Sequence, residues 1–115
     1  MTEKASADLG EICRIIAETV EVERIYLFGS FAYGTPHKDS DYDLCVIIPD
    51  GGLRPIDASK KLYWELRDHQ KTPLDVLVYR EGRFRQRMGE AGMERQIERE
   101  GVLLYEGRKA AGKTA

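Results

Sequence analysis

The stretch Arg24–Ile48, RIYLFGSFAYGTPHKDSDYDLCVII, decides how the chain folds. It opens on a short strand-like run, Arg24 to Phe28, that stops at Gly29-Ser30. Phe31 to Tyr33 reads as the first turn of a short helix ended by Gly34 and Pro36, and Thr35 to Ser40 as polar loop. A second strand follows from Tyr42 to Ile48, closed by Pro49 and the turn residues Asp50-Gly51-Gly52. That strand opens on two carboxylates, Asp41 and Asp43. Side chains two apart on a strand share a face, their Cα atoms about 6.5–7 Å apart, so both acids project together. Leu44, Val46 and Ile48 fill the opposite face, while Cys45 and Ile47 continue the acidic face into apolar cover. A charge pair at the mouth of a strand buried on both sides is costly unless it has a partner.

A third carboxylate stands in the same relation to a third strand. Asp75 is second in Leu74 to Tyr79 (LDVLVY), with Leu74, Val76 and Val78 alternating against Asp75, Leu77 and Tyr79. Solubility does not require three acids at strand beginnings. Two Mg²⁺ ions roughly 3.5–4 Å apart, bridged by carboxylates, would use them. Gly29-Ser30 supplies a complementary element, because glycine lets the backbone approach a ligand and a helix start exposes N–H groups. Those groups and the Ser30 hydroxyl suit the phosphates of a nucleoside triphosphate. The segment is neither G-x-x-x-x-G-K-[ST] nor G-x-G-x-x-G, so metal ions rather than a lysine must neutralise most of the phosphate charge.

Outward from this centre the chain alternates helices and strands. Leu9, Ile12, Cys13, Ile16, Ala17 and Val20 recur at helical spacing from Ala5 onward, with Ser6 as the cap. A helix is predicted over Ile56 to Gln70, carrying Ala58, Leu62, Trp64 and Leu66, and a charged one over Phe84 to Arg99. Val102 to Tyr105 forms a last strand. The pattern is an α/β (α+β) fold, a small mixed β-sheet packed with helices. Residues 1–107 form one domain and 108–115 a flexible basic tail.

The run Gly29-Ser30-Phe31-Ala32-Tyr33-Gly34, five residues, then Ser40-Asp41-Tyr42-Asp43-Leu44 resembles the signature of DNA polymerase beta-like nucleotidyltransferases. The length is similar to that of the minimal nucleotidyltransferases, and the resemblance extends to the closing Ile97–Glu106 segment. It implies that Asp41, Asp43 and Asp75 are the catalytic, metal-binding acids, with Asp75 also accepting the proton of an attacking hydroxyl. It implies that Gly29 and Ser30 hold the β- and γ-phosphates, with Ser40 beside them in the nucleotide site. It further implies Mg²⁺ as cofactor, two ions with Mn²⁺ as the alternative metal, and ATP as substrate. The reaction would move AMP, or another nucleoside monophosphate, to an acceptor hydroxyl with release of pyrophosphate. The implied partner is a HEPN-domain toxin, for which the chain would be the antitoxin. Tyr33 departs from the arginine that the small relatives often carry.

Composition bounds these expectations. With 115 residues, 42% of them hydrophobic and 33% charged, the chain has the make-up of one folded domain. A formal net charge of −2 gives no overall pull toward nucleic acid or acidic membrane. No apolar run approaches the roughly 20 residues of a membrane span. Cys13 and Cys45 fall in apolar patterns without metal-ligand spacing and read as core thiols, which fits a cytoplasmic protein. So small a domain has little surface with which to hold an acceptor, and a homo- or hetero-oligomer is expected.

Each sharp reading has a plainer rival. Asp39 to Asp43 begins like a calcium loop, with Asp50 at the twelfth position, but Leu44 stands where that loop needs glycine. Ser30 serves also as a helix cap, and Ser40 as a residue orienting the loop before Asp41. His37 reads as loop, His69 as a helix-end cation, and Tyr63 and Trp64 as packing residues. Arg80, Arg83, Arg85, Arg87, Arg95 and Arg99 are nearly cancelled by Glu81, Glu90, Glu94, Glu98 and Glu100. For the whole chain the rival is a non-catalytic module that neutralises its partner by contact.

Overall fold

The computed structural model describes residues 2–34, 36, 40–69, 72–88, 92, 96–97 and 100–107. Helix α1 (Glu3–Thr19) starts earlier than its apolar spacing suggests. Its cap is Thr2 rather than Ser6: the Thr2 hydroxyl accepts the Ala5 N–H at 3.1 Å. The Ser6 N–H already bonds the Thr2 carbonyl at 3.0 Å, so Ser6 lies inside the first turn. Leu9, Ile12, Cys13 and Ile16 form the buried stripe, joined by Ala5 and Ile15. Both cysteines are buried, and neither is in a disulfide.

After α1 come strand β1 (Arg24–Phe28), helix α2 (Ser30–Tyr33), strand β2 (Tyr42–Ile48) and helix α3 (Pro55–Leu66). Strand β3 (Leu74–Arg80), helix α4 (Glu81–Met88) and strand β4 (Val102–Glu106) complete the order. Gly34 ends α2 in the left-handed conformation at φ 80°. Helix α3 begins with Pro55 in its first turn, where the missing N–H costs nothing, and stops at Leu66 rather than Gln70. Past Leu66 the apolar period ends, and Arg67 folds back to donate to the Trp64 carbonyl at 2.6 Å. Gln70 itself lies outside the described residues.

Helix α4 likewise differs from the expected Phe84–Arg99. It starts three residues earlier because the Asp50 carboxylate accepts the Gly82 N–H at 2.8 Å, capping the helix from the β2 exit. The same contact gives Asp50 a structural task and removes the calcium-loop reading, since Leu44 to Ile48 are strand. Of the expected downstream part, Gly89, Glu90, Glu94, Arg95, Glu98 and Arg99 lie outside the described residues, as do His37, Asp39 and the tail 108–115.

The four strands form one mixed sheet in the order β3-β2-β1-β4. β1 pairs antiparallel with both β2 and β4, whereas β2 and β3 run parallel, joined by α3. Parallel neighbours need such a crossover, and α3 covers the face it crosses. On that face α1 and α3 bury Ile25, Leu27, Leu44, Val46 and Ile48. On the other, Phe84 and Ile97 close over Tyr26, Cys45 and Ile47. β2 is therefore covered on both sides. Among the described residues no helix is long and apolar enough to cross a membrane.

Phe84 holds the second, smaller cluster together. It is fully buried, with ring centroids 6.0 Å from Tyr26 and 5.7 Å from Tyr79. At the helix start Glu81 accepts from Arg24 and Arg85. Burial pulls the Glu81 carboxyl up, but the Arg24 and Arg85 guanidiniums hold it below its ordinary value. Phe84→Ala should cost about 3–5 kcal/mol, read as a lower urea midpoint. An unchanged midpoint would mean that this side of the sheet is not a packed core.

Candidate functional site

The site is built where β1 turns and β2 and β3 begin. β2 lies between β1 and β3, and its register sets Asp43 opposite Phe28 on one side and Asp75 on the other. Paired residues of neighbouring strands point to the same face, about 4.8 Å apart, so the Asp43 and Asp75 carboxylates rise side by side. Asp41 lies one residue ahead of β2, not within it, and its charge still acts on Asp43. All three expected acids are thus brought to one end of the sheet. Asp43 is half-buried, whereas Asp41 and Asp75 are exposed.

These surroundings make Asp43 an uncomfortable carboxylate. Burial raises its pKa above the ordinary value, and the negative charges of Asp75 and Asp41 raise it further. Among the described residues no salt bridge relieves any of the three acids. Nor do the described residues include any group of three or more His, Cys, Asp or Glu side chains gathered closely enough to hold a metal ion by themselves. The acids instead form an open row of oxygen donors at the strand beginnings, Asp43 in register with Asp75 and under the charge of both others. Carboxylate oxygens are the donors that hard divalent cations, Mg²⁺ or Mn²⁺, take, with the rest of the coordination supplied by water and phosphate. A cation would also reverse the sign of the field that disfavours ionised Asp43.

Gly29 is the next contact. Its backbone has φ 76° and ψ −161°, a conformation accessible essentially only to glycine. A Cβ built on Gly29 would stand 2.2 Å from Asp43 Oδ2. The carboxylate therefore lies directly on the Gly29 backbone. Sequence reasoning assigns this glycine to phosphate approach alone, since no local pattern announces a neighbour fourteen residues away.

Ser30 follows as the first residue of α2, and Gly29, not Ser30, occupies the cap position. The Ser30 hydroxyl donates to the Ser40 hydroxyl at 3.0 Å, and Ser40 is buried. The bond ties the start of α2 to the residue just before Asp41. Phe31 packs on Tyr42 with ring centroids 4.7 Å apart, anchoring α2 to the main core and leaving Tyr33 40% exposed.

Other sequence candidates fall elsewhere. Tyr63 and Trp64 are 72% and 61% exposed, not packed as expected, because the buried stripe of α3 is Ala58, Leu62 and Leu66. Trp64 instead carries the Arg67 guanidinium 3.8 Å above its ring. His69 and Trp64 border a cavity of about 680 Å³ between α1 and α3, on the sheet face opposite the acids. Size alone does not make it the site, since the chemistry is gathered at the other face. Arg80 donates to the Gly52 and Leu53 carbonyls and Arg85 to Glu81, so these arginines serve the fold.

The nucleotidyltransferase domain family matches residues 9–104, a span that includes every residue of this site. Among solved structures, a chain of a toxin–antitoxin with AMP-PNP is similar at 23% identity and TM-score 0.61, covering 93% of this chain and 83% of that one. A chain of tri-AMPylated Shewanella oneidensis HEPN toxin in complex with MNT antitoxin is similar at 19% identity and TM-score 0.56, with 93% and 76% covered. A candidate nucleotidyltransferase of Sulfolobus solfataricus is similar at 19% identity and TM-score 0.59, with 90% and 81% covered. At these identities the likeness carries the fold. No curated protein matches the sequence.

Proposed function

The chain belongs to the nucleotidyltransferase domain family, and from that premise we propose that it transfers AMP from ATP to a hydroxyl of a HEPN-domain toxin, acting as the minimal-nucleotidyltransferase antitoxin of the pair. The observation that carries this reading is the register of Asp43 with Asp75, with Asp41 alongside and the Gly29 turn against Asp43. Asp41, Asp43 and Asp75 would hold two Mg²⁺ ions, which supply charge neutralisation of the triphosphate when bound. Gly29 and Ser30 position the β- and γ-phosphates, with Ser40 holding the Ser30 hydroxyl in place. The acceptor oxygen forms a bond to the α-phosphorus while the bond to the β-phosphate bridging oxygen breaks. Pyrophosphate leaves, and the acceptor proton passes to Asp75, an exposed acid on the edge strand. Positioning and electrostatics carry such a transfer, with little covalent work by the protein.

Two likenesses of fold support the choice of nucleotide and acceptor: the toxin–antitoxin with AMP-PNP and the tri-AMPylated HEPN toxin bound to MNT antitoxin. The absence of a disulfide at Cys13 and Cys45 supports a cytoplasmic setting. The test is to incubate the protein with ATP, Mg²⁺ and a HEPN toxin and weigh the toxin. Mass increments of one or more AMP units are expected. Tight binding with no increment would leave neutralisation by contact and remove the enzyme reading.

Cation binding itself has a simple signature. Because Mg²⁺ would bind folded protein with its acids in register and not the unfolded chain, it should raise the melting temperature by a few degrees, about 1 kcal/mol of stabilisation. EDTA should reverse the rise. A melting temperature indifferent to Mg²⁺, at concentrations that support ATP binding, would remove the metal from the acid row.

A further inference from the structure

β3 is an edge strand, and its free edge borders the acid row. Among the described residues no strand pairs with its outer side. The direction of its backbone groups follows from one bond: the Tyr42 N–H donates to the Pro73 carbonyl at 2.9 Å. Backbone groups alternate sides along a strand, so residues 73, 75, 77 and 79 turn toward β2. The N–H and C=O groups of Leu74, Val76 and Val78 then point outward, away from the sheet. The side chains of the same three residues lie on the α3 face and pack against the main core. A groove of about 250 Å³ runs there between helix and edge, lined by Ser59, Leu62, Tyr63, Leu66, Leu74 and Val76, and it touches Asp75. The 72% exposed ring of Tyr63 forms part of its wall.

We propose that this edge docks the acceptor: an extended segment of the acceptor protein adds to β3 as a fifth strand. The proposal rests on the transferase reading above and names where its acceptor binds. Alternate apolar side chains of the added strand enter the α3–β3 groove. The intervening side chains lie on the opposite face, where Asp75 is the nearest cross-strand neighbour at about 4.5–5.5 Å between Cβ atoms. A hydroxyl side chain in that position meets the acid that takes its proton. Main-chain bonds hold the segment, and the strand period of two sorts groove-bound from reacting side chains. Continuity between groove, edge and Asp75 favours an acceptor segment over any occupant unrelated to the reaction.

The probe is a fluorescein-labelled peptide, Lys-Val-Thr-Val-Tyr-Val-Thr-Val-Lys, whose valines share one face and whose tyrosine lies on the other. Saturable binding to wild-type protein is expected, weakened about tenfold or more by Val76→Pro, which removes an outward N–H and no bond to β2. Ser59→Trp, which fills the groove without touching the ladder, should weaken binding to a similar degree and decides the matter if the proline variant does not fold. Both variants should bind ATP–Mg²⁺ as wild type does. Absence of peptide binding, or affinity unchanged in a folded variant, overturns the proposal. A wild-type dimer that Val76→Pro dissolves also overturns it, by assigning the edge to a second copy. Peptide that docks on the edge but gains no AMP from ATP and Mg²⁺ sinks the transferase reading and leaves the docking site standing.

Discussion

Asp43→Asn should abolish nucleotidyl transfer, by about 10³-fold or more, and at the same time make the metal-free protein harder to unfold. The loss follows from removing the acid in register with Asp75, of the order seen when one preorganised electrostatic group is deleted from an active site. The gain follows from the same geometry. Burial and the charges of Asp75 and Asp41 all disfavour the Asp43 carboxylate, and asparagine keeps the shape without the charge. About 0.5 kcal/mol, or roughly 2–4 °C in melting temperature, is the expected scale for a half-exposed group. The sign with pH is fixed. Because the folded pKa lies above the unfolded one, the destabilisation by Asp43 is present above the folded pKa and is relieved as pH falls through it. The advantage of the variant over wild type should therefore shrink on acidification and vanish below about pH 3.9. Transfer at the wild-type rate would take Asp43 out of the site. A variant less stable than wild type at neutral pH, without metal, would mean that the like charges are already compensated.

Gly29→Ala should be nearly as damaging to transfer, for a different reason, and should destabilise the fold as well. The backbone conformation at Gly29 costs about 1–3 kcal/mol for a residue with a side chain. The added methyl would also have to occupy space held by Asp43 Oδ2, 2.2 Å away. Either the turn or the carboxylate must move, and both belong to the proposed site. The expected result is a loss of about 2 kcal/mol in urea unfolding together with a transfer rate reduced about 10²-fold or more, since small misplacements of catalytic groups are costly. Gly34→Ala makes a useful comparison, because Gly34 also has positive φ but a Cβ there meets nothing within 4 Å among the described residues. It should share the backbone cost and spare the rate. Equal losses of activity in the two variants would show that strain in the α2 turn, and not the contact with Asp43, is what matters.

Much of the molecule follows from local pattern. The strands Arg24–Phe28 and Tyr42–Ile48 are legible because β-branched and aromatic residues stand between glycine and proline stops. The spacing of Asp41 and Asp43 and the place of Asp75 after Pro73 are enough to single out the acids. What the pattern misreads are boundaries and exposure. Thr2 outcompetes Ser6 as the α1 cap because its hydroxyl reaches the Ala5 N–H. Helix α4 starts early because Asp50, thirty-one residues before Glu81, sits where the chain leaves β2 and bonds the Gly82 N–H. Trp64 is apolar and helical yet faces outward, since periodicity cannot say which side of α3 meets the sheet.

The sequence by itself determined the fold class and the family resemblance, and it singled out three acids as candidates. These depend on residue type and on spacing along a single strand or turn. Only the tertiary structure decided that Asp43 stands in register with Asp75, lies on the Gly29 backbone, and has Ser30 and Ser40 joined beside it. Register, strand order and the free edge of β3 arise from pairing between distant segments, which is set by how both faces of the sheet are buried. One-dimensional spacing carries no record of that pairing, and the charge on Asp43 acquires its cost when folding buries it and brings Asp75 beside it.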